Sequence, residues 1–84
     1  MDIENLVANN QIIKSVDHAQ ELLTENRKRK MYLYHTGSLP NDRILNPRLD
    51  RLAKFLLIKA ERGNCNLFQQ KVDNSNSFYY LCQY

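Results

Sequence analysis

A helix bracketed at both ends by its own stop signals constrains this chain more than any other stretch. Asn46-Pro47 opens it and Gly63 closes it. Proline at the first helical position costs no hydrogen bond, because that N–H would be unpaired anyway, and its φ is preset. Asp50 and Lys54 form an i,i+4 pair in the favourable orientation. Lys59 and Arg62 fall in the last turn, where cations complement the exposed carbonyls, and Gly63 supplies a left-handed residue just past the end. These signals predict a helix over 47–62. Two apolar runs then flank the polar pentapeptide Asp73–Ser77, which predicts a β-hairpin over 66–72 and 78–84. A capped helix feeding a hairpin fixes a mixed α+β domain.

The faces of these elements follow from their periods. On a helical wheel Leu49, Leu52, Ala53, Leu56, Leu57 and Ala60 form one apolar face. Phe55 and Ile58 fall outside it, among Arg48, Arg51, Lys59 and Arg62. In the hairpin, placing Val72 opposite Phe78 collects Phe68, Val72, Phe78, Tyr80 and Cys82 on a core-like face. Leu67, Gln69, Lys71, Tyr79, Leu81 and Gln83 then share the other face.

Upstream, residues 3–8 fit a short helical turn stopped at Asn9-Asn10. A second helix begins with Ser15 as N-cap and Asp17 in its first turn, where the helix dipole favours an acid. Ile12, Val16, Ala19 and Leu23 form its stripe, and Arg27-Lys28-Arg29-Lys30 its basic last turn. Met31–Thr36 is aromatic-rich and predicts a strand. Residues 37–46 are expected to be a loop, long for a strand-to-helix connection and therefore a candidate for function.

The expected fold is α+β: an N-terminal helix or helices, then a β-α-β-β unit whose three-stranded mixed sheet packs on a central helix. The last strand is the most apolar and is placed in the middle, giving the order 2-3-1. The first two strands are then parallel, joined by a right-handed crossover. Eighty-four residues make one domain, which buries roughly 60–65% of its unfolded surface. Hydrophobic residues at 43% and charged residues at 25% argue against wholesale disorder.

The longest apolar run, Phe55–Ile58, is far short of a membrane span, and the acidic, Asn-rich N-terminus does not resemble a signal peptide. Only Cys65 and Cys82 are present, with no CxxC pair. Both features predict a cytoplasmic protein. The hairpin register sends the two cysteines to opposite faces, so no intramolecular disulfide is expected. A bias toward Asn, Lys, Ile and Tyr fits an AT-rich genome such as a phage's.

Catalysis has little to stand on. His18 and His35 lack a carboxylate or cysteine at motif spacing, no zinc ligand set is present, and no Gly-rich phosphate loop exists. The chain is expected to be a non-enzyme with no cofactor, no metal and no small-molecule substrate. Binding is better supported. Residues 1–26 hold one basic residue against five acids, whereas residues 27–62 hold ten against three. Charge asymmetry of this kind bears on partners rather than on fold.

Two expectations follow. Phe55 and Ile58, ringed by Arg48, Arg51, Lys59 and Arg62, resemble an apolar interface centre with a charged rim. That pattern favours a small regulatory or accessory protein that binds another protein or a second copy of itself. The alternative is nucleic-acid binding, with Arg27, Lys28, Arg29, Lys30 and Arg43 on phosphates and Tyr32, Tyr34 and Tyr79 as stacking surfaces.

Overall fold

The computed structural model describes residues 3–25 and 30–84. Its elements are α1 (Ile3–Ala8), α2 (Val16–Thr24), β1 (Met31–Gly37), α3 (Leu39–Leu45), α4 (Pro47–Glu61), β2 (Asn66–Lys71) and β3 (Phe78–Gln83). Among the described residues no helix is long and apolar enough to cross a membrane.

The helix ends form where the sequence places them. The Ser15 hydroxyl accepts the His18 N–H at 3.1 Å, and the Asn46 side chain accepts the Leu49 N–H at 3.2 Å. α4 closes in a Schellman motif. The Gly63 N–H bonds to Ala60 O and the Asn64 N–H to Lys59 O, with Gly63 at φ 78°. α1 closes the same way around Asn10, at φ 55°.

β3 lies between β1 and β2, and pairs antiparallel with both. The expected mixed sheet is therefore corrected: no two neighbouring strands are parallel. The hairpin turn forces β2 against β3, and β1 takes the free edge of β3 running opposite to it. A parallel contact lies beyond β1. There the Ile13 N–H donates to Leu33 O and the Leu33 N–H to Gln11 O, both at 2.9 Å. The β1–β3 register shifts between Leu33 and His35, leaving Tyr34 at a bulge.

The hairpin register also differs from expectation. Ser77 joins the ladder through a bond from the Val72 N–H, so Lys71 faces Phe78 and Leu67 faces Cys82. The turn is one residue tighter because Asn74 takes the left-handed conformation at φ 59°, and Ser75 bonds to both Val72 O and the Ser77 N–H. That slip exchanges every β2 side chain between faces. Leu67 joins the core, and Phe68 moves to the face of Leu81 and remains 45% exposed. Cys65 and Cys82 share one buried cluster, not opposite faces, and both are free thiols.

Both faces of the β1–β3 pair are covered. On one, Tyr32, Tyr34, Tyr80 and Cys82 pack with Ala19 and Leu22 of α2 and Leu52 and Leu56 of α4. On the other, Leu33 and Leu81 pack with Leu6 of α1. The expected loop at 37–46 contains α3. Pro40 fits its first turn, and the Asp42 carboxylate accepts the Ser38 N–H at 3.0 Å. No α3 residue is buried, so no apolar stripe marks it in the sequence.

Candidate functional site

α4 carries five of the six residues singled out for protein binding, and the sixth, Arg62, is its C-cap. Leu49, Leu52, Ala53 and Leu56 are its buried residues. Phe55 is not outside this face as expected. Its half-buried ring packs against the core cluster to which α2 contributes, and the Lys59 ammonium sits 5.3 Å from the ring centroid. Leu57, expected on the buried face, is instead 49% exposed. The reason is angular: the buried stripe is centred on Leu56, and Phe55 and Leu57 flank it on opposite sides. α2 packs against α4 and the core reaches the Phe55 flank, whereas the Leu57 flank is left half open.

Ile58, next in the chain, is 48% exposed as well, further round the helix from the buried stripe. Arg51 and Arg62 are also exposed. Arg48 and Arg51 border a groove of about 540 Å³ against Ser15, Val16 and Asp17 of the α2 start. Arg48, Arg51, Lys59 and Arg62 form no ion pair among the described residues. The acid Asp50 is taken by Arg43 at 2.6 Å and Lys54 at 3.0 Å. Those two cations hold the Asp50 carboxyl below its ordinary 3.8, Arg43 contributing most.

The expected nucleic-acid contacts are not brought together. Arg27, Lys28 and Arg29 lie outside the described residues, Lys30 is exposed, and Arg43 is engaged with Asp50. Tyr32 and Tyr34 are core residues, with Tyr32 edge-on to Tyr84 at 5.6 Å and Tyr34 tilted on Tyr80 at 6.2 Å. Burial pushes the Tyr34 phenol up to about 12. Tyr79 packs with the second cluster under α1. Tyr32 and Tyr34 offer no open face to a base, whereas Tyr79 is partly exposed along the sheet. β-branched and aromatic strand residues look alike in sequence whether they face a helix or solvent, so exposure was not legible there.

The β1–α3 corner was missed. His35 Nε2 lies 2.8 Å from Asp42 Oδ2, which also accepts the Ser38 N–H. The hydrogen bond from His35 is the main reason the Asp42 carboxyl sits below 3.8. Gly37, at φ 140°, makes room for this pair, since a Cβ there would meet Asp42 Oδ2 at 2.5 Å. The Tyr80 hydroxyl accepts the Leu39 N–H at 3.0 Å and ties the corner to β3. A seven-residue separation across an unrecognised helix left no signal for it. Ile44 and Leu45, 77% and 88% exposed at the α3–α4 junction, were hidden for the same reason.

An apolar groove of about 430 Å³ runs between α1 and the sheet, lined by Ile3, Val7, Leu33 and Tyr79. No group of three His, Cys, Asp or Glu among the described residues is arranged to hold a metal ion. No protein-family model matches this chain, and no curated protein or solved structure shows significant similarity to it.

Proposed function

We propose that the chain is a small non-catalytic regulatory protein that binds another protein through the outer side of α4. One observation carries this reading: Leu57 and Ile58, consecutive in the chain, are each about half exposed on a helix whose buried stripe is already filled. Lys54, Glu61, Arg51 and Arg62 surround them. Large apolar side chains inside a charged rim are the arrangement in which a few residues supply most of the binding energy. Phe55, partly buried against the core cluster, supports the helix rather than anchoring the partner.

Capture from a lysate of the source organism, with and without nuclease, tests this with wild type, Ile58→Glu and Leu57→Glu. A partner held by apolar contact survives nuclease and high salt and is lost with either substitution, while the variants melt close to wild type. Capture that is unaffected by both substitutions refutes the assignment.

The second reading is nucleic-acid binding. It is supported by the four cations along one side of α4 that form no ion pair among the described residues, and by the basic run 27–30 in the sequence. It predicts binding that disappears on nuclease treatment and weakens steeply with salt, in proportion to the phosphates neutralised.

A further inference from the structure

The N-terminal end of α4 opens into a pocket of about 280 Å³ that the protein-binding surface does not use. Its wall is apolar where Ile13, Leu49 and Leu52 contribute, and cationic where Lys14 and Arg48 contribute. His35 completes the rim, its Nε2 engaged with Asp42, which is not itself a lining residue.

Two independent features point to an anion. The first is the helix end. Pro47 has no N–H, the Leu49 N–H is taken by the Asn46 side chain, and the Asp50 N–H by Asn46 O. The Arg48 N–H is the first-turn donor left without an acceptor among the described residues, at the positive end of a 15-residue helix. The second is Tyr34, which lines the same pocket and is only 9% exposed. Its ring packs on Tyr80, yet its hydroxyl makes no hydrogen bond to any described residue. Among the described residues no buried side-chain polar atom lacks a partner, so that hydroxyl reaches open space. Buried hydroxyls ordinarily find a partner, and a donor left open to a cationic pocket is placed to supply one to a ligand.

We propose that this pocket binds a phosphate group. The Arg48 N–H and the Tyr34 hydroxyl donate to its oxygens, and the Lys14 and Arg48 side chains balance its charge. The same chemistry is offered by free phosphate and by the phosphate of a small phosphomonoester. The apolar wall of Ile13, Leu49 and Leu52 gives the organic part of the latter a surface to lie on.

Titration with inorganic phosphate, adenosine 5′-monophosphate and adenosine, followed by amide and tyrosine-ring NMR shifts, tests the assignment. Phosphate should give saturable shifts centred on Arg48, Leu49 and the Tyr34 ring, and adenosine should give none. Tyr34→Phe and Arg48→Ala should each weaken phosphate about tenfold, the loss expected of one hydrogen bond or ion pair to a charged group. Tyr34→Phe keeps the ring that fills the core, and Arg48 is exposed, so both variants should stay folded. Lys71→Ala, on β2 and outside the pocket, should change nothing. Tighter binding of the monophosphate, with added shifts at Leu49 and Leu52, identifies an organic phosphomonoester as the ligand, and equal binding identifies free phosphate. Absence of saturation, or equal weakening by Lys71→Ala, overturns the site and leaves only diffuse attraction to a basic surface.

Discussion

Replacing Phe55 and Ile58 separately by alanine should give opposite outcomes in folding and binding, although the two residues are three apart on one helix. Phe55 has part of its ring against the cluster containing Ala19, Leu22 and Leu56, the latter fully buried. A fully buried phenylalanine costs about 3–5 kcal/mol on truncation, so a half-buried one should cost about 2 kcal/mol. The Lys59 ammonium at 5.3 Å from the ring centroid adds a contact that alanine also removes. At an exposed site that contact is worth roughly 0.5–1 kcal/mol. For a domain of this size each kcal/mol moves the midpoint by about 4–8 °C, which gives a fall of roughly 10–24 °C for Phe55→Ala. Ile58→Ala removes a side chain whose residue is 48% exposed and should cost less than about 1 kcal/mol. Calorimetric melts of both variants, with Phe55→Leu as a volume-keeping control, measure the difference. Phe55→Leu should recover most of the packing and lose the ring contact with Lys59. A Phe55→Ala protein that melts with wild type would show that the ring is not held by the core.

The hairpin register predicts that Leu67→Asp is far more damaging than Phe68→Asp, because only Leu67 faces the cluster with Cys82; denaturant midpoints of the two variants check it. Gly63→Ala meets open space but must hold φ 78°, so it should destabilise by about 1 kcal/mol, whereas Gly63→Asn should cost less. The Asp42 and Asp50 carboxyls titrate below 3.8 in the folded state, so the stability they contribute is present above that pH and is lost as pH falls through their folded midpoints. Carboxyl NMR should show Arg43→Ala moving Asp50, and His35→Ala moving Asp42, back toward 3.8. Tyr34 behaves in the opposite sense: its raised value makes its contribution complete below pH 10 and lost as pH rises toward about 12, visible as alkaline destabilisation that Tyr34→Phe reduces.

Apart from α3, the helical and strand segments were legible because their signals are local. Ser15 and Asn46 at the caps, Pro47 in the first turn, Gly63 at the end and the polar turn 73–77 act within a few residues of themselves. The sequence alone therefore determined an α+β chain with a capped helix and a terminal hairpin. It also marked the basic middle segment and the absence of paired metal-ligand spacing.

What tertiary structure decided depends on partners distant along the chain. One residue more or less in the turn exchanges the two faces of β2, so the side on which Phe68 and Cys65 lie waited on the Val72–Ser77 bond. A helical wheel gives the angle of Phe55 and Leu57 but not which flank a neighbour covers, and the packing of α2 against α4 decided that. α3 buries no residue, so no periodicity could reveal it, and with it stayed hidden the His35–Asp42 corner. The phosphate pocket is the extreme case: Lys14, Tyr34 and Arg48 belong to three segments that meet only when the sheet and α4 pack together. Spacing in sequence carries no trace of such a meeting, because the distances that matter are set by the core and not by the chain.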